Sequence, residues 1–405
     1  MAIKSLYINK KTINADISLP ASKSISNRAL ILNALAYSPH TIENLSDCDD
    51  TRVMIKALDS NSTSFDIGAA GTAMRFLTAF LSKTVGEWVI TGSKRMKERP
   101  IRLLVEALNS LGGRIEYIER TGYPPLKIYG SALTGGEIQL NGGVSSQYIS
   151  ALMMIAPYMQ KGLKIILEGN VISVPYILMT LNMMRDFGVR ASFENNIIAI
   201  KPQSYKPVQY SVESDWSAAS YWYEILSIAD KGQIFLKGLN KDSYQGDSKV
   251  ADLFEQLGVN TAYQANGVLL TANENTTSEF EYDFTNQPDL AQTFAVTCCL
   301  KNIPFLFKGV QSLKIKETDR VAALINELKK LGFVLTEPAE GQLAWNGKKT
   351  PVDEIIPPTI STYDDHRMAM AFAPVALIRP IIIEDPDVVS KSYPAFWDDI
   401  AQISK

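Results

Sequence analysis

Two helical patterns alternate along this chain. One carries apolar residues on a single face, as in "RLLVEALNSLGG" (102–113), and the other is apolar nearly all round, as in "SSQYISALMMIAP" (145–157). A one-sided stripe predicts a helix lying on a core, and an all-round apolar helix is one enclosed on most sides. The one-sided kind recurs in four long segments, 91–117, 168–193, 237–263 and 308–337. Each runs strand, glycine, polar loop, amphipathic helix, Leu-Gly or Phe-Gly, strand. The glycines after these helices, Gly112, Gly188, Gly258 and Gly332, suit the left-handed position that follows a helix end. They lie 76, 70 and 74 residues apart (188−112, 258−188, 332−258). Weaker copies at 42–58 and 383–403 make six units.

The enclosed helices begin near "SKSISNRALIL" (22–32), "GAAGTAMRFLTAF" (68–80), "SSQYISALMMIAP", "SDWSAASYWYEIL" (214–226), "PDLAQTFAVTCCL" (288–300) and "DDHRMAMAFAPVAL" (364–377), one per unit. Strands alternating with helices predict an α/β architecture. Six units in one chain group most simply as two domains of three, with the polar stretch 201–214 as the crossover.

Composition narrows the function. The 405 residues carry a formal net charge of −3, which argues against a general polyanion binder and confines any anion site to a local cluster of cations. The start, "MAIKSLYINK", has neither the apolar core of a signal peptide nor the Arg/Ser bias of a transit peptide. The longest apolar run, Met368 to Ile378, is eleven residues with Pro374 inside it, too short to span a bilayer. Cys48, Cys298 and Cys299 form no CxxC, and His40 and His366 are the two histidines, so a Cys/His metal site is not expected. A reducing, cytoplasmic setting is expected.

Against this background the helix starts are unusual. Helix N-termini are electropositive and favour acids, yet here cations, hydroxyls and glycines gather at them: Lys23, Ser24 and Arg28; Gly71, Thr72 and Arg75; Ser145, Ser146 and Gln147; Arg95, Lys97 and Arg99; Ser173; Lys316, Glu317 and Arg320; His366 and Arg367; and Lys391. A single such cluster reads as helix capping or a solvated face. Their recurrence points to helix ends that converge on anionic ligands. "GAAGT" lacks the spacing of either nucleotide-binding glycine motif. "KRMKERP" places cations before Pro100, as in a first helical turn. In "KIKETDR" the spacing puts Lys316, Asp319 and Arg320 on one helix face beside Glu317, either as a salt-bridge ladder or as an anion site with a proton-carrying acid. Asp289, Asp364 and Asp365 are also possible N-caps.

The segments "SKSISNRALIL", "GAAGTAMRFL", "TGSKRMKERPI", "SSQYISALM", "ISVPYI", "IKETDR", "YDDHRMAM" and "SKSYPAFW" run in order from residue 22 to 397. Together they closely resemble the 5-enolpyruvylshikimate-3-phosphate synthase family. The resemblance implies a two-domain inside-out α/β barrel with six βαβαββ repeats, three per domain: 20–213, on the shikimate 3-phosphate side, and 1–19 plus 214–405, on the proton-transfer and phosphoenolpyruvate side. It implies an active site in a closing cleft. The implied reaction moves the enolpyruvyl group of phosphoenolpyruvate to the 5-hydroxyl of shikimate 3-phosphate through a tetrahedral intermediate, releasing phosphate. It needs no metal or organic cofactor, no nucleic acid and no membrane, and a monomer is expected.

By the same resemblance, Lys23, Ser24, Arg28, Ser145, Ser146, Gln147, Ser173, Asp289 and Lys316 bind shikimate 3-phosphate. Lys23, Gly71, Arg99, Gln147, Arg320, Arg367 and Lys391 meet phosphoenolpyruvate, with Arg75 and Tyr176 supporting them. Asp289 takes the proton of the attacking hydroxyl, and Glu317 with Lys23 handles the methylene proton. Three positions depart from the family pattern. Ser312 stands for a frequent Asn, Ala69 for another, and Phe76 for a frequent Pro; the last two are expected to alter the wall of the phosphoenolpyruvate site. Gly71, which the family associates with glyphosate sensitivity, is retained. The sister transferase acting on UDP-N-acetylglucosamine commonly uses a loop Cys, whereas Cys298 and Cys299 lie in an apolar helical stretch. A six-unit DNA clamp needs cations along channel-facing helices, not beside carboxylates at helix starts.

Overall fold

The computed structural model describes residues 2–10, 12–229 and 231–404. It divides into two compact units, Ala21–Val212 and Met1–Pro20 with Glu213–Lys405. The first holds α1 (Lys23–Leu35), α2 (Asp49–Asp59), α3 (Gly71–Lys83), α4 (Arg102–Ser110), α5 (Ser146–Ile155) and α6 (Val174–Asp186). The second holds α7 (Trp216–Ile228), α8 (Val250–Glu255), α9 (Ala291–Leu300), α10 (Arg320–Lys330), α11 (His366–Phe372) and α12 (Phe396–Ser404).

The repeat is visible in the sheets. In the first unit, strand Ser64–Asp66 runs parallel to Gly86–Thr91, which pairs antiparallel with Leu126–Gly130, itself antiparallel to Arg114–Tyr117. Gly136–Asn141, Leu163–Glu168, Ile197–Ile200 and Ala191–Glu194 repeat that order and those directions. So do Thr12–Ser18, Lys231–Lys237, Gly267–Thr276 and Leu257–Gln264 in the second unit. Its remaining two sheets each join one parallel pair to one antiparallel strand. The expected copy at 42–58 is reduced: among the described residues it is marked by an isolated parallel bridge, Glu43 to Ser211, instead of a ladder.

Parallel strands need a crossover, and a helix usually supplies it. The enclosed helices take this role: α3, α5, α9 and α11 each lie between the strands of a parallel pair. They cover a sheet while packing on one another, α3 against α5 and α9 against α7 and α11, which is why no side of them reads as polar. The amphipathic helices α4, α6 and α10 each follow the second strand of such a pair. Gly112, Gly188, Gly258 and Gly332 all have φ between 84° and 97°, as the helix-end spacing requires. The sequential order parallel strand, enclosed helix, strand, amphipathic helix therefore brings the starts of enclosed helices out of a packed interior with their polar residues still largely covered. Arg28, Arg75, Ser146, Asp365, His366 and Arg367 are all buried there.

Candidate active site

In the first unit, α1 starts at Ser22, whose hydroxyl accepts from Ile25 N. Lys23 then faces α2, its Nζ 3.6 Å from Asp50. Arg28, one turn on, points the other way and is 2% exposed. Its Nε donates to Thr180 Oγ1 at 2.8 Å, its Nη2 to Ser150 Oγ at 3.1 Å and its Nη1 back to Ser24 O at 2.9 Å. The guanidinium also lies over the rings of Phe76 and Tyr176, at 5.3 and 5.9 Å. All of these partners are neutral. Burial therefore dominates and lowers the Arg28 pKa from 12.5 to about 10, as desolvation does to any unpaired cation. Phe76 is accordingly a wall of the Arg28 site.

The glycine turn leads straight into α3, whose first residue, Gly71, admits a side chain only if Arg99 moves: a Cβ there would sit 2.7 Å from Arg99 Nη1 and 3.2 Å from Arg75 Nη1. Arg75 donates to Gly71 O at 3.0 Å and to Pro100 O at 3.5 Å, which ties the segment carrying Arg99 to α3. That segment is not a first helical turn. Met96–Glu98 forms a short 3-10 turn, and Pro100 precedes α4 by two residues. Ser145 caps α5 by accepting from Gln147 N, Ser146 is buried, and Gln147 Nε2 donates to Thr72 Oγ1 at 3.2 Å. Ser173 differs from an ordinary cap. It is left-handed (φ 55°), is buried, and makes no side-chain cap bond to α6. Non-glycine residues hold that conformation where the surroundings enforce it, commonly at ligand sites.

In the second unit the charged groups interlock. Asp289 lies in a 3-10 turn, Pro288–Leu290, and caps no helix. Its carboxylate meets Arg367 Nη2 at 3.0 Å, Arg320 Nη1 at 3.1 Å and Lys316 Nζ at 3.7 Å. Burial alone would raise its pKa, but Arg367, Lys316 and Arg320 together outweigh burial and hold it well below the ordinary carboxylate range. Arg320 is buried among acids, donating from Nε to Asp365 Oδ2 at 2.7 Å and from Nη2 to Glu317 Oε2 at 2.9 Å. Burial opposes its charge, yet Asp365, Glu317 and Asp289 reverse that and raise its pKa. Glu317 also faces Lys391 Nζ at 3.7 Å. Lys316 and Glu317 precede the helix, because α10 starts at Arg320 with Asp319 capping Ala322 N at 3.0 Å. The common helix face expected for Lys316, Asp319 and Arg320 is therefore absent, and Asp319 is a cap.

Several partners were not singled out by sequence: Asp50, Ser150, Thr180, and Asp247. Asp247 is buried, accepts from Ser217 Oγ, and leaves Oδ1 without a hydrogen-bond partner. Burial, then Asp289 nearby, pushes its pKa up to about 7. Nothing in its local sequence, "QGDSK", separates it from a loop acid. Among the described residues no group of His, Cys, Asp and Glu has the arrangement of a metal site, and no helix is long and apolar enough to cross a membrane.

A family model described as EPSP synthase (3-phosphoshikimate 1-carboxyvinyltransferase) matches residues 8–61 and 59–400. A protein of that activity from Bacteroides fragilis strain YCH46 is 54% identical over 390 residues, covering 96% of this chain and 95% of its own length. One from Vibrio cholerae strain M66-2 is 37% identical over 423 residues, covering 97% of each. The fold matches a solved structure of EPSP synthase from Acinetobacter baumannii with a TM-score of 0.79 at 19% identity, over 99% of this chain and 98% of that one.

Proposed function

Because the chain belongs to the EPSP synthase family, and with it catalyses enolpyruvyl transfer in the shikimate pathway, we propose how its own residues divide the work. The 5-hydroxyl oxygen of shikimate 3-phosphate bonds to C2 of phosphoenolpyruvate, its proton is taken up, and C3 gains a proton, giving a tetrahedral ketal. Loss of a C3 proton and departure of phosphate from C2 complete the exchange. Both substrates carry a phosphate and a carboxylate, so four anionic groups must be neutralised by positioned cations and helix N–H groups.

We assign unit Ala21–Val212 mainly to shikimate 3-phosphate. Arg28, with Ser24, takes the carboxylate: a buried cation with only neutral partners gains most from an anion. Ser145, Ser146 and Ser173 take the phosphate, with Lys316, and Gln147 lies by the ring. Phosphoenolpyruvate takes Lys23, Arg99 beside Gly71, Gln147, Arg320, Arg367 and Lys391. Asp289 accepts the hydroxyl proton, and Glu317 with Lys23 moves the methylene proton.

The observation that carries this assignment is Asp289 ringed by Lys316, Arg320 and Arg367. With three cations on it, Asp289 is a poor base. Substrate anions that draw Lys316 and Arg367 raise its basicity, so proton acceptance is coupled to both substrates being bound. The free, buried thiols of Cys48, Cys298 and Cys299 suit a cytoplasmic enzyme, acting here as a monomer. The test combines phosphate release with exchange. Release should require both substrates, and Glu317→Gln should bind them while losing hydrogen exchange at the phosphoenolpyruvate methylene. Unchanged exchange would remove Glu317 from the mechanism.

A further inference from the structure

The turn that precedes α11 is strained. Tyr363 and Asp364 are consecutive non-glycine residues in the left-handed region, with φ of 56° and 55°. Such pairs persist only where neighbouring structure holds them. Directly after them, Asp365 caps α11 by accepting from Arg367 N at 2.9 Å and receives both Nε and Nη2 of Arg320, at 2.7 and 3.3 Å. The strained pair thus sets where Arg367 leaves the backbone.

What holds the turn is Glu327. It lies seven residues after Arg320, hence on the same side of α10 two turns along. It is fully buried. Its Oε1 accepts from the Tyr363 hydroxyl at 2.6 Å and its Oε2 from Ser361 N at 3.1 Å, while Lys330 Nζ sits 2.6 Å away. Ser361 is fixed again through its hydroxyl, which donates to Glu384 at 2.6 Å. One face of α10 therefore grips the segment 361–365 twice, at Glu327 and at Arg320. Tyr363 is 37% exposed, so packing alone holds it less firmly than a buried ring, and the hydroxyl adds an anchor at Glu327. Burial, and then Glu327, push that phenol up to about 12, so it remains a donor at any working pH.

We propose that Tyr363 is a positioning residue for Arg367, its hydroxyl latched to Glu327 so that the left-handed turn delivers Asp365 and Arg367 to the site. This rests on the assignment of Arg367 to phosphoenolpyruvate. The test compares Tyr363→Phe, Glu327→Gln and Arg367→Gln for both KM values, kcat, Tm and amide hydrogen exchange over 363–367. Loss of one hydrogen bond to a charged acceptor supports an expected rise of about five- to ten-fold in the phosphoenolpyruvate KM of Tyr363→Phe. The shikimate 3-phosphate KM should stay unchanged, Tm should fall by no more than about 4 °C, and exchange at 365–367 should speed up. Glu327→Gln can accept from the phenol or from Ser361 N but not from both, so it should weaken the latch in the same direction as Tyr363→Phe. Unaltered exchange in Tyr363→Phe overturns the proposal whatever the kinetics show, as does an equal rise in both KM values with a larger fall in Tm. If exchange accelerates but Arg367→Gln leaves the phosphoenolpyruvate KM unchanged, the latch stands and the assignment of Arg367 falls.

Discussion

Replacing Arg28 with Met separates what a buried guanidinium does to the fold from what it does for binding. Met keeps an apolar stem between Phe76 and Tyr176 and removes the charge. The lowering from 12.5 to about 10 corresponds to about 3 kcal/mol by which burial disfavours the cation. The sign follows from the direction. A base whose folded pKa lies below its unfolded one destabilises the fold fully below about pH 10, and the penalty is relieved only as pH rises toward the unfolded value. At neutral pH all of it is present. Met lifts that penalty and forfeits three charge-assisted hydrogen bonds, at about 1.5 kcal/mol or more each, so the net cost is small, on the order of 1–2 kcal/mol. No hydroxyl is stranded, because Thr180 still donates to Tyr176 O at 2.8 Å and lies 2.9 Å from Ser150 Oγ. Calorimetry should therefore show a Tm within about 4 °C of wild type. Titration with shikimate 3-phosphate should show at least about a hundredfold weaker Kd, from the loss of two charge-assisted bonds. A Tm lowered by more than about 10 °C with unchanged Kd would refute the reasoning, since Arg28 would then be a structural cation.

Two further outcomes follow from close contacts and titration. Gly71→Ala sets a methyl 2.7 Å from Arg99 Nη1; the long side chain can yield, so the fold should keep its Tm while the phosphoenolpyruvate KM rises about tenfold, and an unchanged KM would detach Arg99 from that substrate. Asp247, with its pKa raised to about 7 by burial and then Asp289, binds a proton in the folded state that the unfolded chain releases nearer pH 4. Its contribution is present at low pH and is lost as pH rises through that interval, by about 2 kcal/mol between pH 5 and 7. Glu213 and Glu224, also raised by burial, tilt stability the same way, so the informative quantity is the difference between proteins. Urea midpoints across pH 5–7 should fall less in Asp247→Asn than in wild type, and equal slopes would dismiss Asp247.

The fold was legible where periodicity and backbone geometry coincide. The enclosed helices and their glycine-terminated partners left direct marks in the sequence, because burial on all sides and a left-handed turn each restrict residue choice. Lys316, Asp319 and Arg320 share no helix face for a local reason: Asp319 is a better cap than helix residue, so the helix begins after Lys316 and Glu317. The partners of Arg28 were out of reach for another reason. Ser150 and Thr180 lie 122 and 152 residues away, and hydroxyls facing a buried cation look no different in sequence from hydroxyls facing their own helix backbone. The reduced copy at 42–58 shows the same limit, since a strand that forms only one bridge has no pattern to display.

The parallel pairing of Thr12–Ser18 with Lys231–Lys237 also has a meaning for biogenesis. Thr12 meets Lys231, 219 residues later (231−12). At roughly 5–20 residues per second of synthesis, that strand waits about 11–44 s for its neighbour, while the whole of Ala21–Val212 emerges and can fold. The strand Ile3–Leu6 waits longer still, for Ile381–Glu384. A β-strand left alone beside a ribosome invites pairing with other chains. Here "TINADIS" turns only Ile13 and Ile17 fully inward, with polar groups between them, so the waiting segment offers little apolar surface to a wrong partner.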